Sequence, residues 1–210
     1  MESFSQHGQD RFIYERFFKD ASNPGAFVDV GAYDGVTFSN TLLFERIGWS
    51  GICIEALPSV FEKLKTARSS VCVLCAVADR SGTGTFLEVD MPSGFEKMYS
   101  GLKANFDRRH RKTIQKWGQN PKEIEVPIRT LAELLREYRI ERVDYLSIDT
   151  EGSEWKILRS FNFRAFDVRV ISVENNYQDH KIRKHMFDNG YRLAHVFANI
   201  DELYTKSDVI

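Results

Sequence analysis

The chain has 210 residues, and its 29 Lys and Arg side chains nearly balance its 30 Asp and Glu side chains, so the formal net charge is −1. A hydrophobic content of 42% excludes extended disorder, and the near-neutral charge disfavours general binding to nucleic acid or to anionic membranes. We expect one domain over residues 1–210 with no membrane span. Three cysteines are too few for a disulfide scaffold, which favours reduced thiols and a cytoplasmic protein.

The first half of the chain alternates short apolar runs with polar turns. The predicted strands here cover residues 27–30, 51–55, 71–76 and 81–89. Pro58 opens a predicted helix after the second strand, because proline suits the first helical position. Apolar residues then recur at helical spacing from Val60 to Ala67.

The middle of the chain, residues 91–125, is rich in glycine and proline and has little apolar rhythm. It predicts a long irregular insertion, which in a compact domain is more often a functional loop than filler. We expect it to cover the substrate. Its basic run, residues 108–112, is predicted to be a solvated helix face, with contact to an acidic group on a substrate as the alternative. Trp117 is a candidate for stacking on a sugar ring.

The second half repeats the alternation of strands and helices. Thr130 and Glu133 form a predicted capping box at the start of a helix. Further strands are predicted at residues 143–148, 168–173 and within 191–204, and a helix at 179–189. This order predicts an α/β domain with a mainly parallel sheet that has helices on both faces.

A glycine turn follows the first strand in the sequence Val28-Asp29-Val30-Gly31-Ala32-Tyr33-Asp34-Gly35. Dinucleotide-binding turns have a second glycine where this chain has Tyr33, and the carboxylate of Asp34 would repel a diphosphate. S-adenosylmethionine carries a ribose and an adenine without phosphate, and its cationic groups would favour Asp29 and Asp34. Glu55, at the end of the second strand, is placed to accept ribose hydroxyls. The turn therefore predicts an S-adenosylmethionine site.

Acidic residues also follow two later strands, where Asp149, Glu151 and Glu174 should meet at the mouth of a cleft. Methyl transfer to a hydroxyl benefits from a base or a metal, so these three are the candidate catalytic residues, with His7 and His180 as secondary candidates. The same carboxylates could hold Mg²⁺. The structural alternative is that Asp149 or Ser153 caps the following helix.

Several motifs occur in a fixed order along almost the whole chain. They are residues 5–10, 28–35, 39–41, 48–55, 76–79, 147–154, 173–176 and 199–201. Through them the chain resembles the FkbM-type S-adenosylmethionine-dependent methyltransferases. The resemblance implies a Rossmann-like class I methyltransferase fold, whose seven-stranded sheet has one antiparallel strand. It also implies O-methylation of a hydroxyl on a sugar, a glycan or a related natural product.

The resemblance further implies a set of cofactor contacts. The turn from Gly31 to Gly35 would surround the methionine part, Glu55 would hold the ribose, and the segment from Ala76 to Asp79 would face the adenine. Gln9 and Asn40 would contact the cofactor carboxylate. The full predicted set is Gln9, Asp29, Gly31, Ala32, Tyr33, Asp34, Gly35, Asn40, Glu55, Ala56, Ala76, Val77, Asp79 and Asp149.

Two other function classes stay open at this point. Asp149 and Glu151 could bind the metal of a nucleotide-sugar glycosyltransferase, although the acidic turn at Tyr33 and Asp34 opposes a diphosphate. Alternatively, the chain is a non-catalytic binding module of the same fold. Whichever function holds, the chain could be a free enzyme or one domain of a larger glycan-building protein.

Overall fold

The computed structural model describes residues 1–92, 97–176 and 178–206, and eleven strands and seven α-helices lie among them. The strands are β1 (Ala26–Val30), β2 (Ser50–Glu55), β3 (Val71–Leu74), β4 (Ala76–Val77), β5 (Gly82–Asp90), β6 (Gly101–Leu102), β7 (Gln119–Arg129), β8 (Arg142–Ile148), β9 (Asp167–Glu174), β10 (Tyr191–Phe197) and β11 (Asp201–Lys206). The α-helices are α1 (Gln9–Ile13), α2 (Leu42–Arg46), α3 (Pro58–Ala67), α4 (Arg108–Trp117), α5 (Leu131–Glu137), α6 (Glu154–Ser160) and α7 (His180–Asp188).

Seven strands form the central sheet, in the order β10-β11-β9-β8-β1-β2-β3. The pairs from β9 to β3 are all parallel, and β11 runs antiparallel to both β9 and β10. The predicted α/β fold with one antiparallel strand in a seven-stranded sheet is confirmed. Parallel strands need helical crossovers, and these crossovers place the helices on the two faces of the sheet.

Apolar side chains cover both faces of this sheet, because successive residues of a strand point to opposite sides. Val28 and Leu146 belong to one buried cluster, and their neighbours Phe27 and Tyr145 belong to a second. All four are at most 1% exposed. The central strands are therefore fixed from both sides, and the residues that follow their carboxyl ends take a defined position.

A second sheet, in the order β4-β7-β5-β6, corrects the prediction of an irregular insertion at residues 91–125. Its described residues form β6, α4 and most of β7; residues 93–96 lie outside the described part of the chain. β7 contains Pro121 and Pro127 and is largely exposed, so its sequence carries only a weak strand signal. The pairing of β7 with β5, from Gly82 to Asp90, supplies the order that the local sequence does not show.

The predicted third strand, residues 71–76, also divides between the two sheets. β3 ends at Leu74, and β4 starts at Ala76 and pairs with β7. Phe86 of β5 and Val126 of β7 pack with Leu57 and Val60 at the start of α3. The second sheet therefore lies against the carboxyl end of β2, where the cofactor site is predicted.

The helix ends agree with their sequence signals. The capping box at α5 is confirmed, since Glu133 N donates to Thr130 Oγ1 at 3.2 Å and Thr130 N donates to Glu133 Oε2 at 3.1 Å. α7 ends two residues before Gly190, which has a φ of +85°. Within the described ranges, no helix combines the length and the apolar character needed to cross a bilayer.

Candidate active site

A cavity of about 320 Å³ opens at the carboxyl ends of β1, β2, β8 and β9. Gly31 follows β1, Glu55 ends β2, Asp149 follows β8 and Glu174 ends β9, and all four line the cavity. In an open α/β sheet these strand ends form the crevice in which ligands bind. The structure thus brings together residues that the sequence separates by more than 140 positions.

The glycine turn after β1 is pressed against the turn after β8. Gly31 has a φ of +87°, and a Cβ on this residue would lie 1.7 Å from the carbonyl oxygen of Asp149. The amides of Gly31 and Ala32 both donate to the carbonyl of Ile54, at 2.9 and 3.0 Å. Because no side chain fits here, the contact between the two turns requires glycine.

Glu55 is held by backbone donors on the cavity wall. Its Oε2 accepts from Tyr33 N at 3.0 Å and its Oε1 accepts from Leu57 N at 2.7 Å. Burial raises the pKa of this carboxyl to about 7, although these amide hydrogen bonds oppose the shift. The amide of Ala56 is a third donor to this carboxylate, and of its about four acceptor positions at least one remains for a ribose hydroxyl.

The predicted cofactor set divides into residues that reach the cavity and residues that do not. The lining includes Gln9, Asp29, Gly31, Ala32, Tyr33, Asn40, Glu55, Ala56, Ala76, Val77 and Asp149. Asp34, Gly35 and Asp79 are outside it. Asp34 instead accepts from the amides of Val36 and Thr37, at 2.9 and 2.7 Å, and so shapes the turn. Asp79 forms an ion pair with Arg159 at 3.5 Å.

Arg68 is a buried residue that supports the cavity wall without lining the cavity, and it was not predicted from the sequence. Its guanidinium donates to Gly35 O, Ser39 Oγ and Thr41 Oγ1 at 3.1 to 3.3 Å, and its Nε pairs with Glu45 at 3.0 Å. Thr41 in turn donates to Asp29 at 2.6 Å. These bonds fix the loop between β1 and α2. Nothing in a single arginine after a helix could indicate this role, because its partners lie 23 to 33 positions away.

Arg68→Met is therefore expected to lower the free energy of unfolding by about 3 kcal/mol, since the substitution leaves the Glu45 carboxylate without its buried partner. Denaturant unfolding at pH 7 measures this change. Lys65→Met on α3 removes an exposed ion pair with Glu62 and should cost at most about 1 kcal/mol. Equal losses in the two variants would contradict the role given to Arg68.

The turn from Asp149 to Glu154 is shaped by its last residue. Glu154 accepts hydrogen bonds from Thr150 N at 2.7 Å and from Gly152 N at 3.0 Å. Ser153 is the N-cap residue of α6, yet its side chain makes no capping bond. Glu154 thus satisfies the amides before α6, which leaves Asp149 and Glu151 available to the cavity.

Asp149, Glu151 and Glu174 form the cluster that the sequence predicts. One oxygen from each lies within 4.8 Å of the others. Burial, followed by the nearby Asp201, raises the pKa of Asp149 to about 8, and a hydrogen bond with Glu174 opposes the shift. Burial and mutual repulsion raise the pKa values of Glu151 and Glu174 well above the ordinary value. The cluster can therefore hold shared protons or a cation.

Two oxygen atoms on the cavity wall are buried without a hydrogen-bond partner among the described residues. They are Asn40 Oδ1 and Glu151 Oε2. The amide nitrogen of Asn40 is already used, since it donates to Ser147 Oγ at 3.2 Å. Buried acceptors are normally satisfied, so a bound molecule with donor groups would complete both.

Two titratable residues of the site, Asp201 and His110, were not predicted from the sequence. Asp201, on β11, lines the cavity and accepts from Gln9 Nε2 at 2.6 Å. His110, on α4, stacks on Phe106, and its Nδ1 lies 3.6 Å from Glu151 Oε2. Only the packing of α4 brings His110 close to Glu151, which lies 41 positions later in the chain.

The secondary candidates lie outside the cavity lining. His7 and His180 are exposed. Trp117 is 52% exposed, at the end of α4, with the ammonium of Lys116 4.7 Å from its ring centre. None of the three therefore touches the cavity in this structure.

A family model described as "Methyltransferase FkbM domain" matches residues 29–193. A protein of the NADB-Rossmann superfamily from Streptococcus agalactiae is 10% identical with a TM-score of 0.48, and the alignment covers 97% of this chain and 70% of that one. Fibrillarin from Aeropyrum pernix, solved with natively bound S-adenosyl-L-methionine, is 14% identical with a TM-score of 0.44, covering 87% and 66%. No curated protein matches the chain significantly. The matched residues include the glycine turn, Glu55 and the carboxylate cluster.

Proposed function

The chain belongs to the FkbM methyltransferase family, and on that premise we propose that this S-adenosylmethionine-dependent methyltransferase acts on a hydroxyl oxygen of a sugar, a glycan or a related natural product. The family match removes the glycosyltransferase alternative. The observation that carries the choice of a hydroxyl is Glu151 Oε2, a buried acceptor without a partner among the described residues, beside two further carboxyl groups.

The charge of the cavity supports S-adenosylmethionine as the cofactor. Among the described residues, the cavity is lined by one basic side chain, Lys97, and by six carboxyl groups, those of Asp29, Glu55, Asp149, Glu151, Glu174 and Asp201. Lys97 is itself paired with Glu88 and lies 3.7 Å from Asp90. Such a site favours a cationic ligand and disfavours a phosphate. S-adenosylmethionine fits this charge, and Asn40 Oδ1, which can only accept, suits its ammonium group rather than the carboxylate that the resemblance implied.

The carboxylate cluster supports the chemistry at the acceptor end. When bound, S-adenosylmethionine would supply the methyl group for transfer from its sulfonium sulfur to the acceptor oxygen. Glu151 Oε2 accepts the hydrogen bond of the acceptor hydroxyl and orients its oxygen. As the C–O bond forms, the hydroxyl proton would pass to an ionised carboxylate of the cluster, which its raised pKa makes a stronger base than an ordinary carboxylate.

Mg²⁺ is a further component that we propose to test. Asp149, Glu151 and Glu174 would hold it, since carboxylate oxygens are the ligands that Mg²⁺ prefers. There it would lower the pKa of a bound hydroxyl. Activity measured after treatment with EDTA, and again after Mg²⁺ is restored, decides whether the enzyme uses the metal.

The second sheet and α4 lie beside the cavity at its acceptor end. This part of the chain reaches the cavity wall through Tyr99, Ser100 and Leu102. On α4, His110 lies 3.6 Å from Glu151. We propose that this unit covers the acceptor and sets its identity.

The test is methyl transfer from radiolabelled S-adenosylmethionine to a panel of free sugars, deoxysugars and nucleotide sugars. Formation of S-adenosylhomocysteine together with an acceptor that gains one methyl ether supports the proposal. A methyl group found on nitrogen or carbon would contradict it. Binding of S-adenosylmethionine by calorimetry, without transfer to any acceptor, would favour the non-catalytic module.

Cofactor affinity is expected to depend on pH through Glu55. Its pKa is raised to about 7, so below pH 7 the carboxyl is protonated and loses acceptor capacity for the ribose hydroxyls. The dissociation constant of S-adenosylhomocysteine should therefore fall by about tenfold between pH 6 and pH 8, as expected for one titrating group. Calorimetry at both pH values measures the change, and Glu55→Gln should reduce it to the part contributed by other cavity carboxyls such as Asp149. A wild-type affinity that does not change with pH would contradict this role.

A further inference from the structure

The backbone of Glu151 lies in a conformation that residues with side chains rarely adopt. Its φ is +56°, in the left-handed region, and the next residue, Gly152, has a φ of +122°. Such a conformation persists only where the surrounding structure holds it, and it occurs most often at functional sites. The groups that hold this turn therefore decide where the Glu151 carboxylate lies in the cavity.

Helix α6 holds one side of the turn. Glu154, the first residue of this helix, accepts from Thr150 N at 2.7 Å and from Gly152 N at 3.0 Å. Ser153 N donates to Thr150 Oγ1 at 3.2 Å. These bonds satisfy amide groups of the turn, and they do not hold its carbonyl side.

The insertion packs against the carbonyl side of the same turn. A Cβ on Gly101, in β6, would lie 3.1 Å from the carbonyl oxygen of Glu151 and 3.3 Å from that of Thr150. A Cβ on Gly152 would lie 3.2 Å from the carbonyl oxygen of Asn105. Backbone lies close to backbone at both places, so the turn is enclosed between α6 and the insertion.

The side chain of Asn105 joins the insertion to the turn and to α6. Its Nδ2 donates to Ser153 Oγ at 2.6 Å, and its Oδ1 accepts from Lys156 Nζ at 2.5 Å. These bonds reach 48 and 51 positions along the chain. Both polar atoms of the Asn105 amide are therefore used in holding the turn.

The same segment also faces the carboxylate of Glu151. Phe106 follows Asn105, and its ring stacks on His110 with 4.3 Å between the ring centres. His110 Nδ1 lies 3.6 Å from Glu151 Oε2. The insertion thus lies against both the backbone and the side chain of Glu151.

From these contacts we propose that the insertion holds Glu151 in position for the acceptor hydroxyl, with Asn105 as the positioning residue that fastens the insertion to the turn. Asn105 is not among the residues that line the cavity, so it acts through Glu151. A displacement of about 1 Å can lower a rate about a hundredfold, so the rate depends on this support. The inference rests on the proposed function, since it concerns the group that orients the acceptor hydroxyl there.

Hydrogen–deuterium exchange of the full chain, followed by mass spectrometry, tests this arrangement without an acceptor. Asn105→Leu removes both hydrogen bonds at similar side-chain size. Exchange of the amides at residues 150–153 should become about tenfold faster, the equivalent of one lost hydrogen bond, while exchange in β1 stays unchanged. Asn105→Asp should restore the slow exchange, because a carboxylate can accept from Lys156 and from the Ser153 hydroxyl.

Rate measurements separate positioning from folding. On an acceptor found in the panel, Asn105→Leu should lower kcat by about tenfold or more and leave the KM for S-adenosylmethionine unchanged. Asn105→Asp should recover the rate. The matched control is Asn189→Leu, which removes a side chain that donates to His185 O at 2.8 Å at the end of α7. It should change neither the rate nor the exchange at residues 150–153.

Unchanged exchange at residues 150–153 in Asn105→Leu, or equally faster exchange in β1, would overturn the inference. If this variant does not fold, Lys156→Met removes one of the two bonds and is measured in the same way. Failure of the wild type to bind S-adenosylmethionine or to transfer its methyl group would instead overturn the proposed function, and the exchange result would still stand.

Discussion

Gly31→Ala should abolish cofactor binding and destabilise the protein by about 3 kcal/mol or more, because the new Cβ would lie 1.7 Å from the carbonyl oxygen of Asp149. That oxygen belongs to the backbone and cannot rotate away. The two turns would have to separate, and their separation would displace the wall that carries Tyr33 and Asn40. Thermal unfolding and calorimetry with S-adenosylhomocysteine measure the two effects.

Gly190→Ala is the matched control for this prediction. Gly190 has a φ of +85°, against +87° for Gly31, and a Cβ on it would meet nothing within 4 Å. The control therefore carries the cost of a left-handed backbone, about 1 to 2 kcal/mol, without the overlap. If both variants lose the same stability and both still bind the cofactor, the contact between the two turns is not what requires glycine at position 31.

Glu151→Gln should lower kcat by about 10² to 10⁴, the usual contribution of a general base, with the affinity for S-adenosylhomocysteine unchanged. The amide keeps the size of the side chain and removes its capacity to take a proton. Glu123→Gln, on the exposed face of β7, removes a carboxylate that pairs with Lys103 and should leave kcat unchanged. Rate measurements on any acceptor found in the panel test this prediction.

The same variant should gain stability, and the gain should grow with pH. The pKa of Glu151 in the folded protein is raised well above 4.5 by burial and by Asp149, so ionisation favours the unfolded chain. Wild-type stability is thus unaffected at low pH and falls as pH rises above about 4.5. Glu151→Gln should unfold at a higher temperature than the wild type at pH 8 and at a similar one at pH 4. A loss of both activity and stability would show a structural role instead.

Much of the fold follows from local sequence. The apolar runs at residues 51–55, 143–148 and 168–173 match β2, β8 and β9 to within one residue at each end, because a strand buried on both faces must be apolar along its length. The strand structure of the insertion at residues 91–125 does not follow from its local sequence. β7 is mostly exposed and contains two prolines, so its strand structure depends on pairing with β5.

The candidate site likewise contains residues that could be predicted from local sequence and residues that could not. The glycine turn, Glu55 and the three carboxylates stand directly after apolar strands, and parallel strands bring their carboxyl ends to one edge. Asp34 looked like a cofactor contact because it is acidic and follows Gly31, but its carboxylate is used by the amides of its own turn. Local hydrogen bonding decided its role.

The sequence by itself determined the α/β order, the cofactor turn and the acids that end the strands, since each depends on residues close together in the chain. Tertiary structure alone decided the remaining contacts: Gln9 meets Asp201 across 192 positions, Arg68 fixes the loop after β1, and His110 reaches Glu151. Local patterns record which face of an element is buried, and they do not record which distant element covers that face. That choice belongs to the packing of the whole chain.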